Sequence, residues 1–209
     1  NGHAVTRGRR AVDRFVANTL LAQDIQGIFQ LGCADFENRA LDLDFLQVGN
    51  RDFALSQKFL NQFSGLLLPE IATLKIHNQL YRLEHGDALC TDDVAYQRFR
   101  KVIRNPILLG ILKRTPLNFR QKLANGFRKK SSETKQLKSY DIMDVNLHAV
   151  ENAIHQVDFL IHGHTHRPEI HEVINKKRIV LGDWREDTAW ILEINEQENF
   201  KLDFKKWSY

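Results

Sequence analysis

At 209 residues and 24.4 kDa, with 43% hydrophobic and 27% charged residues, the chain has the size and composition of one globular domain with an embellishment; no low-complexity segment is visible, and no apolar run approaches the roughly 20 residues that a bilayer-spanning helix needs. Its two cysteines, Cys33 and Cys90, lie far apart in sequence, which argues against a disulfide framework and makes a reducing cytosol the expected compartment. The net charge of +4 conceals an asymmetry: between Arg98 and Lys138 thirteen Lys or Arg stand against one acid, Glu133, a patch that nucleic acid, an anionic membrane or a phosphorylated lipid could use.

In chain order, residues 9–23 read as a helix with Val12, Phe15, Val16 and Leu20 on its apolar face. Residues 27–31 read as a short strand, followed by Gly32-Cys33-Ala34-Asp35. Leu41, Leu43 and Phe45 alternate as a further strand before Val48-Gly49-Asn50-Arg51-Asp52. Were these two strands parallel, residues 33–43 would barely hold the crossover, which usually takes a dozen or more residues. Residues 54–63 suit a helix with Leu55, Phe59, Leu60 and Phe63 on one face, and residues 72–76 and 80–83 flank His77-Asn78 as a hairpin. Residues 94–103 read as a helix that Asp92 or Asp93 can cap.

Pro106 and Pro116 divide residues 106–130 into two helical pieces. Ile107, Leu108, Leu109, Ile111 and Leu112 make the first apolar; Phe119, Leu123 and Phe127 stripe the second, with Lys113, Arg114, Arg120, Lys122, Arg128, Lys129 and Lys130 around them. Apolar surface ringed by cations suits an anionic membrane and acyl chains; a helical hairpin with an apolar core face and solvated charges fits the same pattern. Residues 142–156 read as a helix carrying Met143, Leu147, Val150 and Ile154 on one face, and short antiparallel strands are expected at 170–174, 178–181, 190–194 and 200–204.

Three strand ends carry the chemistry. The apolar run Val157, Phe159, Leu160, Ile161 ends at Gly163, and His164 and His166 follow, two residues apart on a loop where both imidazoles can turn to one point. Asn50 and His85 each stand beside a glycine where a strand should end. Ligands at several strand ends are what an α/β sheet with its site at the carboxyl edge requires, and Asn with His suits borderline-hard ions such as manganese.

These segments, with His85-Gly-Asp-Ala-Leu-Cys-Thr-Asp-Asp93, Ile142-Met-Asp-Val-Asn146, Ile161-His-Gly-His-Thr-His-Arg-Pro168 and Val180-Leu-Gly-Asp-Trp184, resemble the UDP-2,3-diacylglucosamine pyrophosphohydrolases of the calcineurin-like metallophosphoesterase superfamily. The resemblance runs from about Leu46 to the C-terminus. It implies a four-layer α/β/β/α sandwich, with residues 1–103 and 139–209 as the core and 104–138 as an inserted helical lipid-binding cap. It also implies two Mn²⁺ per chain, held by His3, Asp35, Asn50, His85, His164 and His166, with Arg51 against the scissile phosphate. Asn50, Arg51, Asp93, Ser131, Lys135, Lys138 and His164 would contact substrate, and Asp87 would orient a histidine ligand.

The implied reaction is cleavage of the pyrophosphate of UDP-2,3-diacylglucosamine to UMP and 2,3-diacylglucosamine 1-phosphate (lipid X), in lipid A biosynthesis, at the cytoplasmic face of the inner membrane. Departures from the family lie in the first third: Asn1 and Cys33 stand where its motifs carry Asp, and that third is expected to be incomplete or mis-assigned. Two other readings stay open: a different calcineurin-like phosphoesterase acting on nucleotides or nucleic acid, and a non-catalytic lipid or nucleotide binder that has lost the bridging Asp.

Overall fold

The computed structural model describes residues 14–18, 28–33, 41–50, 52–63, 65–76, 78–116, 118–127, 144–183, 188–195 and 201–208. Its strands are β1 (Arg14–Asn18), β2 (Ile28–Cys33), β3 (Leu41–Leu46), β4 (Leu66–Leu67), β5 (Ile71–Ile76), β6 (Gln79–Glu84), β7 (Phe159–His162), β8 (Glu169–Val173), β9 (Lys176–Val180), β10 (Thr188–Asn195) and β11 (Lys201–Ser208). They form a six-stranded sheet in the order β11-β10-β1-β2-β3-β4 and a five-stranded sheet in the order β5-β6-β7-β9-β8.

In the second sheet β6, β7 and β9 run parallel, so their C-terminal ends share one edge, while β5 and β8 are antiparallel outer strands. The unbroken apolar run of β7 follows from that central place, since both of its faces are covered. Phe159 and Ile161 join Tyr81, Leu83, Ile179, Leu192 and Ile194 in the core between the sheets; Leu160, on the opposite face, packs with Val150, Ala153 and Ile154. Each fully buried aliphatic side chain contributes about 1.5–3 kcal/mol. Tyr81 and Phe159, paired across the ladder, stack with ring centroids 4.5 Å apart.

The helices are α1 (Gln57–Leu60), α2 (Val94–Ile103), α3 (Pro106–Arg114), α4 (118–127) and α5 (Leu147–Ile154). Helix α5 lies over the five-stranded sheet, so α5 and the two sheets supply helix, sheet and sheet of the expected layering, a mixed α/β architecture. The α2 expectation is met residue for residue, with Asp93 as the cap: its Oδ1 accepts from the Tyr96 amide at 3.0 Å. The expected division at Pro106 and Pro116 also holds, with Asn105 capping α3 and Pro106 in its first turn.

Several expectations need correction. Residues 14–18 are strand, not helix: Phe15 and Val16 fit either period, and pairing with both β2 and β10 gives the backbone two ladders, which outweighs weak helical propensity. The crossover problem dissolves because β2 and β3 are antiparallel, Cys33 opposite Leu41. The helix expected over 54–63 contracts to α1 and a 3-10 turn at Asn61–Phe63. That expected from 142 begins at Leu147, because Asn146 takes the cap, accepting from the Ala149 amide at 3.1 Å and donating to both Asp92 oxygens at 3.0 Å.

Candidate active site

Register builds the site. Glu84 lies opposite His162, and His162 opposite Val180, so the three parallel strands end level. The ladder continues past them, Gly163 donating to the His85 carbonyl at 3.0 Å and Leu181 to that of His162 at 2.7 Å. The loops beginning at His85, Gly163 and Leu181 therefore leave side by side. Gly86 has φ +103°, and a methyl group there would meet His162 Nδ1 at 2.7 Å, so the first of these turns requires glycine.

A fourth loop arrives from the other sheet. Past the end of β3, buried Gln47 donates through Nε2 to the carbonyls of Leu83 (3.0 Å), Pro69 and Glu70 (both 3.1 Å). That seats the Gly49-Asn50 turn beside the β6 loop, so closely that a methyl on Gly49 would lie 2.7 Å from His85 Cε1. The turn is closed by Asp52, whose Oδ1 accepts from the Gly49 amide.

There His85 and His164 meet. His164 Nδ1 lies 3.2 Å from His85 Nε2, with the rings edge to face at 5.1 Å. That is hydrogen-bond distance between the two rings, and it also falls within the roughly 3.0–3.4 Å that separates two nitrogens each about 2.1 Å from one ion, so the pair has a spacing that two ligands of a shared ion could keep. Burial first, then the neighbouring His164 and the positive charge of Arg104, holds His85 well below the usual imidazole range, leaving a neutral ring with a lone pair to give. His164 (φ 65°) and His166 (φ 54°) both adopt the left-handed conformation, uncommon outside glycine and concentrated at functional loops. Between them the buried Thr165 Oγ1 has no hydrogen-bond partner among the described residues. His166 Nδ1 faces Asp183 Oδ2 at 3.8 Å.

This donor set fits a divalent ion. Among the described residues no group of three or more His, Cys, Asp or Glu closes on one point, so the His85–His164 pair is the nucleus, with the Asn50 turn alongside. His3, Asp35, Arg51, Ser131, Lys135 and Lys138 lie outside the described residues. Cys33 does not stand in the family's Asp position. It ends β2 opposite Leu41, whereas Asn50 follows the other end of β3, past Leu46, roughly 17 Å away at about 3.4 Å per residue.

Asp87 needs a second correction. Its Oδ2 accepts from Tyr96 Oη (2.7 Å), Arg100 Nε (3.0 Å) and Arg104 (3.0 Å), so it gathers α2 rather than a histidine. Sequence reasoning missed this cluster, although Tyr96, Arg100 and Arg104 recur every four residues, one helical stripe. Tyr96 also lies over His164, ring centroids 6.2 Å apart. Behind the loop His162 is fully buried; burial, with Arg178 second, drives its pKa down to about 3. Arg178 Nε donates to His162 Nε2 at 2.9 Å, which leaves Nδ1–H for the Gly163 carbonyl at 3.0 Å. Cys90 is a buried thiol pushed up to about 12 by burial, in keeping with a packing role.

No protein-family model matches the chain. Curated relatives do. The chain is 42% identical over 159 residues to a UDP-2,3-diacylglucosamine hydrolase of Pseudomonas fluorescens (73% of this chain, 64% of the relative). It is 42% identical over 180 residues to that of Vibrio atlanticus (83% and 72%), and 46% identical over 153 residues to that of Actinobacillus succinogenes (72% and 65%). The match thus spans about two thirds of those relatives' length. Among solved structures, an archaeal phosphodiesterase aligns at TM-score 0.36 and 11% identity (79% of this chain, 68% of that one). A Vps29 variant from Entamoeba histolytica aligns at 0.31 and 14% (80% and 98%). On the strength of the curated relatives, the chain belongs to the UDP-2,3-diacylglucosamine hydrolase family.

Proposed function

We propose that the chain hydrolyses the pyrophosphate bond of UDP-2,3-diacylglucosamine, releasing UMP and 2,3-diacylglucosamine 1-phosphate, with Mn²⁺ as its ion. The observation that carries this reading is the His85–His164 pair, its nitrogens 3.2 Å apart at the carboxyl edge of parallel strands. His85, His164, His166 and Asn50 would hold the ions, joined by His3. Divalent ions, when bound, lower the pKa of water and neutralise charge on phosphorus. His85, neutral through burial, gives its lone pair at neutral pH without first losing a proton. Arg51, next in sequence to Asn50, brings a fixed planar cation to the phosphoryl oxygens.

The segment 104–138 is the cap that receives acyl chains, with residues 1–103 and 139–209 as the core. Support comes from α3, an apolar helix with no buried residue: Ile107 is 74% and Ile111 56% exposed, and Lys113 and Arg114 occupy its last turn. Among the described residues no helix is long and apolar enough to cross a membrane, so such a surface would rest on the cytoplasmic face of the inner membrane rather than span it. Asp93, Ser131, Lys135 and Lys138 are assigned to the glucosamine and phosphates by the family resemblance.

One observation favours a second reading, a non-hydrolytic binder of the same ligand: among the described residues no carboxylate joins the His85–His164 pair to make a group of three. A single assay separates the two. UMP release from UDP-2,3-diacylglucosamine in MnCl₂, abolished by chelator and at least about 100-fold less efficient with unacylated UDP-glucosamine, supports the hydrolase. Ligand binding with no UMP overturns it in favour of the binder, and equal cleavage of both substrates overturns the lipid assignment.

A further inference from the structure

Arg104 sits where three parts of the molecule meet. It is the C-cap of α2, its amide donating to the Arg100 carbonyl at 3.0 Å, and it begins the segment read above as the cap. Its guanidinium, largely enclosed with the side chain 12% exposed, donates to the Gly49 carbonyl at 3.2 Å and to Asp87 Oδ2 at 3.0 Å through one nitrogen, and to Glu70 Oε1 at 2.7 Å through another. The Gly49 carbonyl belongs to the same rigid peptide plane as the Asn50 amide, so holding that oxygen orients Asn50 from its first bond. Asp87 is two residues beyond His85 on the loop that Gly86 bends, and its carboxylate also takes Tyr96, whose ring lies over His164. One planar cation therefore ties the Asn50 turn, the His85 loop and the root of the 104–138 segment together. Lys could not reproduce this, since a single ammonium on a flexible stem lacks the planar fork.

We propose that Arg104 is a positioning residue of the hydrolytic site: it touches neither ion nor phosphate, but sets Asn50 against His85 and couples that geometry to the placement of the 104–138 segment. This rests on the hydrolase reading, and the test is chosen so that the two can fail separately. Arg100 remains on Asp87 when Arg104 is removed, so the carboxylate keeps a cation.

In the full-length chain, Arg104→Ala and Arg104→Lys are compared with wild type by amide hydrogen exchange without metal, by Mn²⁺ calorimetry and by UMP release. Expected for Arg104→Ala is faster exchange in residues 46–56 with residues 159–163 unchanged, and Mn²⁺ affinity and kcat lowered about 10–100-fold, the size of effect typical of an outer partner. KM should stay within about twofold, because substrate is not touched. Millimolar guanidinium should restore part of the Arg104→Ala loss, and Arg104→Lys should fall between the two. Unchanged exchange at 46–56, or uniform acceleration across the chain with no rescue by guanidinium, would overturn the proposal whether or not wild type releases UMP. A wild type that exchanges as expected but releases no UMP sinks the hydrolase reading while leaving Arg104 its part in ordering the Asn50 turn.

Discussion

The loop Glu84–Asp87 and helix α3 lie some twenty residues apart and invert the ordinary rule of burial in opposite senses. In the loop every residue is buried although Glu84, His85 and Asp87 are polar. Each is tied: Glu84 to Arg82 at 2.7 Å, His85 to His164, Asp87 to Tyr96, Arg100 and Arg104. In α3 no residue is buried although Ile107, Leu108 and Ile111 are apolar. Buried polar groups cost stability unless partnered, and an exposed apolar face gains nothing until something covers it. Neither arrangement is explained by folding alone. On the function proposed above, the first would set ligand lone pairs in a buried place and the second would receive hydrocarbon.

The comparison can be broken from the loop side. His164→Ala removes one nitrogen of the pair and should lower UMP release by more than the roughly 100-fold that loss of an outer partner costs, with Mn²⁺ affinity falling in parallel by calorimetry. Retained turnover would mean that the pair is structural. Gly49→Ala places a methyl group 2.7 Å from His85, and the turn must shift. Urea unfolding should show a loss of about 1–3 kcal/mol, together with reduced activity; an unchanged midpoint would show that the Asn50 turn has slack.

From the helix side, the double variant Ile107→Glu with Ile111→Glu should leave stability within about 0.5 kcal/mol, because neither residue is packed. Sedimentation with vesicles containing anionic lipid should then show binding weakened about 10-fold or more, and KM for acylated substrate raised, since each side chain forfeits about 1.5–3 kcal/mol of burial in hydrocarbon. Stability lost by several kcal/mol instead would mean that α3 is core.

A prediction independent of both regions concerns Cys90. Its thiol ionises near 9 when the chain is unfolded, and burial pushes it up to about 12 when folded. Stability from the neutral thiol is therefore full below pH 9 and is lost as pH rises towards 12, by up to about 1.4 kcal/mol per pH unit. Unfolding free energies of wild type and Cys90→Ala, followed from pH 8 to 11, should converge as pH rises. Parallel curves would place the thiol within reach of solvent.

Local chemistry was legible where a residue's role is settled within a few positions. Asp93 could be read as a cap, Pro106 and Pro116 as boundaries, and Phe159–Ile161 as a doubly covered strand, because capping, proline geometry and period two act over one or two turns of chain. His85 and His164 were expected to converge because each stands beside a glycine at a strand end, and the structure brings their ring nitrogens within 3.2 Å.

What the amino-acid order left undetermined was pairing. Phe15 and Val16 satisfy a helix or a strand equally, and only two waiting neighbours, β2 and β10, decided for strand. The direction of β3 against β2 decided that Cys33 lies at the far end from Asn50. Asp87 had a histidine close in sequence but arginines close in space, and a carboxylate binds the cations that the tertiary structure brings to it. Propensity and capping are written in neighbouring residues; the strand partner and the charge partner are contributed by remote ones, so they exist only once the chain has folded.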